Sequence, residues 1–151
     1  MNKLNNKPIA LASDHAGFDK KQVIIKYFTE KGISYQDLGC YSNESCDYPD
    51  FGHKIGEAVE KGEFDKGISF CGTGLGISMT ANKYQKVRSA VCWKPEIAIL
   101  AMQHNNANIC AIPSRFVTDD EAISIVESFL SARFEGGRHA RRIGKIPLKS
   151  F

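Results

Sequence analysis

A cysteine stands at the mouth of a glycine-rich run, Phe70-Cys71-Gly72-Thr73-Gly74-Leu75-Gly76. Such a loop can serve a dinucleotide, a phosphoryl group or a proton transfer, and each needs different neighbours. A dinucleotide fingerprint requires Gly-x-Gly-x-x-Gly, but the series from Gly72 and Gly74 meets Ile77 at the third place. The acidic residue that should close the next strand is replaced by Cys92 and Trp93. A phosphate loop of the Gly-x4-Gly-Lys type lacks its lysine. A phosphatase loop of the Cys-x5-Arg type has Ile77 where its arginine belongs, so a phosphocysteine would have no charge partner. Proton transfer at carbon is compatible with what remains. Gly72, Gly74 and Gly76 permit close approach, and amides converging on one space favour thiolate over thiol. A thiolate there can take a proton beside a carbonyl while the N–H groups hold the enediolate. The alternative is a buried cysteine before a packing turn.

Other candidates have two readings each. Asp14 and His15 follow an apolar run and precede Gly17; Asp14 is either a helix cap or a partner in moving a proton on a sugar hydroxyl. His104 closes a helical stretch just before Asn105, as a dipole partner or as a catalyst. Arg138 and Arg142 are four residues apart, on one face if the segment is helical. Such a pair can hold a phosphate, or simply belong to a solvated basic tail with Arg133, Arg141, Lys145 and Lys149.

The elements that must position these residues alternate. Apolar runs at 8–12, 33–39, 66–71, 89–93 and 108–112 predict five strands. Helical periodicity is found over 18–32, 51–62, 77–84, 95–104 and 118–134, with Gly32 ending the first, Pro95 opening the fourth and Thr118 capping the last. Ile123, Val126 and Leu130 are expected on the apolar stripe of that last helix. Five strand–helix repeats imply an α/β fold, a Rossmann-like three-layer α/β/α sandwich around a mostly parallel sheet. Ligands in such folds sit beyond the carboxyl ends of the strands, where Asp14, His15, Cys71, Trp93, Lys94 and Arg115 all fall.

Bulk properties narrow the classes. At 151 residues, 42% hydrophobic and 25% charged, the chain has the length and composition of one soluble domain. No apolar run reaches membrane-spanning length, and the N-terminus makes a poor signal peptide, so the expected compartment is the cytoplasm. Five cysteines, without a CxxC pair, suit a reducing environment, and Cys40, Cys46 and His53 match no common zinc spacing. A net charge of +3 implies no nucleic acid by itself.

Taken together, "SDHAGF", "DLGCYSNESCDYPDF", "CGTGLGIS", "ANK", "HNNAN" and "FEGGRHARR" closely resemble the RpiB/LacAB sugar-phosphate isomerases, from about Ile9 to about Ile146. The resemblance implies an aldose–ketose isomerase acting on ribose 5-phosphate and ribulose 5-phosphate, with allose 6-phosphate as a second possible substrate. A galactose-6-phosphate isomerase subunit and a non-catalytic sugar-phosphate or nucleic-acid binding module are the alternatives. Cys71 corresponds to the base between C2 and C1, and Thr73 with the backbone of Gly72, Gly74 and Gly76 to the enediolate cradle. Asp14 and His104 correspond to the ring-opening groups. His15, Arg115, Arg138 and Arg142 correspond to phosphate ligands, and Tyr48 and Asn105 to sugar contacts. Ile77 stands where some members carry a glutamate base, which implies the cysteine branch. Pro113, Trp93 and Lys94 depart from the usual pattern in positions that bear on sugar choice. The family uses neither metal nor organic cofactor. Its site is built between subunits, so the resemblance implies a homodimer or a dimer of dimers, without nucleic acid or membrane. A single domain over 1–151 is expected, with residues 1–7 a short extension and about 135–151 packing at the subunit interface.

Overall fold

The computed structural model describes residues 7–149. The expected extension therefore lies outside the described residues except for Lys7, which bonds the Gly62 carbonyl and Asp65. The elements run β1 (Ile9–Ser13), α1 (Phe18–Lys31), β2 (Tyr35–Asp37), α2 (Tyr48–Glu60), β3 (Gly67–Cys71), α3 (Leu75–Ala81), β4 (Ser89–Val91), α4 (Pro95–Asn105), β5 (Ile109–Pro113), α5 (Asp119–Ser131) and α6 (Arg138–Ile143). The five strands form one sheet in the order β2-β1-β3-β5-β4, and every pairing is parallel.

Strand alternation builds the layers. Leu11, Ile68, Phe70, Cys110 and Ile112 face α1, α4 and α5 in the larger core, with Phe28 and Phe129 fully buried there. Ala10, Ala12 and Ile109 face the other way, onto Ile55, Ala58 and Val59 of α2 and Ala81 of α3. Each large side chain so buried is worth about 1.5–3 kcal/mol of transfer free energy. Small residues in β1 let α2 approach closely. The central strands β3 and β5 are buried at every position, which is why they read as continuous apolar runs.

Element ends moved where periodicity is a weak guide. The edge strand β2 has three residues rather than seven. Helix α2 starts at Tyr48, three residues early, because Pro49 fits its first turn and lacks only an N–H that would be unpaired anyway. The Thr118 cap is present, its Oγ1 accepting from the Glu121 N–H at 3.1 Å. The α5 stripe is rotated: Ala122, Ile125, Val126 and Phe129 are buried, while Ile123 and Leu130 sit at its margin. The segment holding Arg138 and Arg142 is helical, as their spacing allowed. Among the described residues no helix is long and apolar enough to cross a membrane.

Candidate active site

Strand β3 ends at Cys71, whose side chain packs with Ile77 and Ala111 and is 4% exposed. The chain then turns through Gly72 and Thr73 to Gly74, which takes the left-handed conformation at φ 74° and opens α3. That turn brings the Gly74 N–H to the Cys71 sulfur at 3.1 Å. That contact fixes where the sulfur points, toward the amides of the turn. The exposed Thr73 hydroxyl accepts from the Leu75 N–H at 3.2 Å.

The neighbouring strand ends surround this loop. Ser114 and Arg115 donate their N–H groups to the carbonyls of Cys71 and Gly72, at 2.9 and 3.0 Å. The Arg115 guanidinium lies along Gly72, where a Cβ would meet its Nη1 at 3.0 Å. Asp14 is 6% exposed and accepts the Gly17 N–H at 2.9 Å through one carboxylate oxygen. It braces the turn that leads into α1 and does not cap the helix, whose N-cap is Gly17 with no side-chain cap bond. His15 has Nδ1 3.2 Å from both the N–H and the carbonyl of Cys46, in the loop before α2. Tyr48, from the first turn of α2, lays its ring over Gly76, where any Cβ would fall 2.6 Å from Cζ. Only glycine admits that ring. A pocket of about 570 Å³ opens beside Thr73, lined by Leu75, Trp93, Lys94, Pro113 and Phe116.

The structure does not bring the other candidates here. Helix α4 runs antiparallel to the strands, so His104 and Asn105 end it beside the start of β5. Cys71 pairs with Pro113 at the far end of that strand, and Gly67 with Ile109 at the near end. Four residue steps separate the two, about 13 Å. Helix α6 packs on α4, joined through Glu135 N–H to the Gln103 carbonyl, and brings Arg138 and Arg142 to His104 rather than to Cys71. The candidate residues thus fall into two groups at opposite ends of the sheet.

His139 belongs to the second group. Its ring stacks on His104 with centroids 4.3 Å apart and planes 12° apart. Its Nε2 is buried without a hydrogen-bond partner, 3.8 Å from Glu135. Burial first, then the positive charges of Arg138, His104 and Arg142, hold its pKa below the ordinary histidine value; Glu135 opposes them. The donor atoms of His104, Glu135 and His139 come within 4.8 Å of one another. Near-parallel stacked rings cannot both point an in-plane lone pair at one ion, so the trio suits stacking better than ligation. Arg88 braces this end, its guanidinium bonding the carbonyls of Asn105 and Asn106. A pocket of about 540 Å³ opens there between Arg88, Asn105, Tyr84, Ile146 and Leu148. Sequence reasoning passed over His139 and Arg88 and weighed Cys46 only as a metal ligand. His139 is visible only as a neighbour of the arginines; the Arg88 guanidinium binds backbone carbonyls and Cys46 meets His15 through its own backbone, and neither contact leaves a spacing pattern.

The profile of a family described as Ribose/Galactose Isomerase matches residues 9–146. The chain belongs to the ribose/galactose isomerase family. Among members of the ribose/galactose isomerases, the ribose-5-phosphate isomerase B of Escherichia coli (strain K12) is 44% identical over 140 residues, 93% of this chain and 94% of that one. The structure of the Clostridium thermocellum ribose-5-phosphate isomerase B superposes with a TM-score of 0.90 at 49% identity, covering 92% and 94% of the two chains. That of Mycoplasma genitalium, solved with bound ribulose-5-phosphate, gives 0.88 at 47%, covering 92% and 93%. The family and the parallel three-layer fold are those expected from the sequence motifs.

Proposed function

We propose that the protein is a ribose-5-phosphate isomerase that interconverts ribose 5-phosphate and ribulose 5-phosphate through an enediolate. The observation that carries this reading is the Cys71 sulfur facing the amide-lined turn, in a chain nearly half identical to an isomerase solved with bound ribulose-5-phosphate. Asp14 and His104 open the furanose. Cys71, as thiolate, then takes the proton from C2 of the open-chain aldose and returns it to C1. Charge develops on the oxygens at C1 and C2, which Thr73 and the amides of Gly72, Gly74 and Gly76 hold. His15, Arg115, Arg138 and Arg142 bind the phosphate, and Tyr48 and Asn105 contact the sugar. No external oxidant is required, since the hydrogen lost at C2 is regained at C1 while the hydroxyl proton at O2 passes to O1.

The active unit in this reading is a homodimer, or a dimer of dimers, of a single-domain protein working in the cytoplasm. The Cys71 end of one protomer meets the His104 and α6 end of its partner, which supplies the ring-opening histidine and two phosphate-binding arginines. About 13 Å of strand between the half-sites supports this arrangement. The test is turnover of ribose 5-phosphate by the purified protein, read as ribulose 5-phosphate formed. No product above background refutes the reading.

A further inference from the structure

We propose that Lys21, which is wholly buried, is a positioning residue for His15: it holds the loop whose end grips the imidazole. The inference rests on the assignment of His15 to the phosphate made above. Lys21 lies in α1. Its ammonium donates to Asp37 Oδ1 at 2.6 Å, at the end of β2, and to the Cys40 carbonyl just beyond. The rings of Phe18 and Tyr41 each lie 5.6 Å from Nζ. Asp37 also accepts the Gly39 N–H at 2.9 Å. This corner is tied to β1 twice, Ser13 N–H donating to Gly39 O and Cys40 N–H to Ser13 O, at 2.6 and 2.8 Å.

From that corner residues 41–47 run as a strap without helix or strand, most of them exposed. Its last turn delivers Cys46 to the His15 Nδ1. If the Cys46 amide donates, the ring carries its proton on Nε2. If the Cys46 carbonyl accepts, Nε2 gains its proton when the ring becomes imidazolium. Either way the ring plane is fixed and Nε2 is the nitrogen left to meet an anion. A buried ammonium is a costly fastener, and an apolar residue of similar size often packs as well. What an apolar residue cannot do is grasp the Cys40 carbonyl and so anchor the strap.

Lys21→Met keeps the volume and removes the grip. Its fold is checked by thermal melting, and binding of inorganic phosphate is read by calorimetry beside kcat and KM for ribose 5-phosphate. The expected result is phosphate affinity about tenfold weaker and KM raised to match, the loss of roughly one charge-assisted hydrogen bond, with kcat within about threefold of wild type. In a His15→Asn background, Lys21→Met should change phosphate affinity by less than about twofold, because the contact it serves is gone. Wild-type affinity in folded Lys21→Met, or an undiminished loss in the His15→Asn background, overturns the proposal. If Lys21→Met does not fold, the double variant Lys21→Met with Asp37→Asn decides, since it removes the grip on the Cys40 carbonyl without leaving a carboxylate unpaired and keeps an acceptor for the Gly39 N–H. Unchanged phosphate affinity there overturns the proposal equally. His15→Asn binding phosphate like wild type would refute the His15 assignment itself, a separate failure read in the same calorimeter.

Discussion

The two ends of the sheet solve different problems. At the carboxyl end the chemistry is held by backbone: amides of Gly74, Ser114, Arg115 and Gly17 fix the sulfur, two carbonyls and the Asp14 carboxylate. At the amino end it is held by side chains: two stacked imidazoles, a glutamate 3.8 Å away and arginines on a six-residue helix. A strand-end turn has nearly a single geometry, which suits a base that must meet one carbon. Long cationic side chains adapt, which suits a phosphate that must be caught and released. On the proposed reading, rigid backbone serves proton transfer and flexible charge serves binding.

The sharpest way to break that contrast is Cys71→Ala, expected to lower kcat by about a thousandfold with little change in KM, because it removes the base and leaves the phosphate ligands. Steady-state assays over a range of ribose 5-phosphate concentrations check it. Near-normal kcat removes Cys71 from the chemistry. Mixing comes next in size. Cys71→Ala and Arg138→Ala homodimers, each nearly inactive at low substrate, are unfolded together and refolded. If the half-sites meet across subunits, heterodimers carry one intact site, and activity should return to about a quarter of wild type. If both halves served one protomer's site, mixing would restore nothing.

Arg142→Ala alone should raise KM about tenfold and leave kcat within severalfold, the loss of one charge-assisted contact to phosphate. An unchanged KM would take it out of the clamp. The smallest effect is the pH response of His139. Its folded pKa lies below 6.5, so the unfolded chain binds the proton more readily. Its neutral form therefore contributes full stability above about pH 6.5, which is lost as pH falls through the folded value. Imidazole NMR should show the midpoint below 6.5 and moving up in His104→Ala. Thermal melts between about pH 7 and pH 5 should fall more steeply for wild type than for His139→Asn.

How much of this could be read from the chain follows the same divide. Alternating apolar runs made the parallel sandwich legible, because strands buried on both faces show in composition alone. Cys71, Asp14, His15 and Arg115 were legible as strand-end residues, since that place in a parallel sheet is where ligands go. The stacking of His104 on His139 was not. It joins residues 35 apart through the docking of α6 on α4, and no local period reports that. Lys21 was hidden for a related reason: a lysine in an amphipathic helix reads as solvent-facing until Asp37 and the Cys40 carbonyl are found beside it. The separation of His104 from Cys71 was implied by the parallel repeat itself, because a helix between two parallel strands must end at the start of the second.

Gly137 carries one more consequence. At φ 58° and ψ −131° it has the mirror image of the polyproline conformation, with nothing within 4 Å of where an L-side chain's Cβ would stand. There is room for a side chain, yet the wrong enantiomer is called for. A semisynthetic protein with D-alanine at this position should keep its α6 arginines in place, whereas the gene-encoded L-alanine should displace them. The direction in which α6 sets its arginines is thus fixed by chirality.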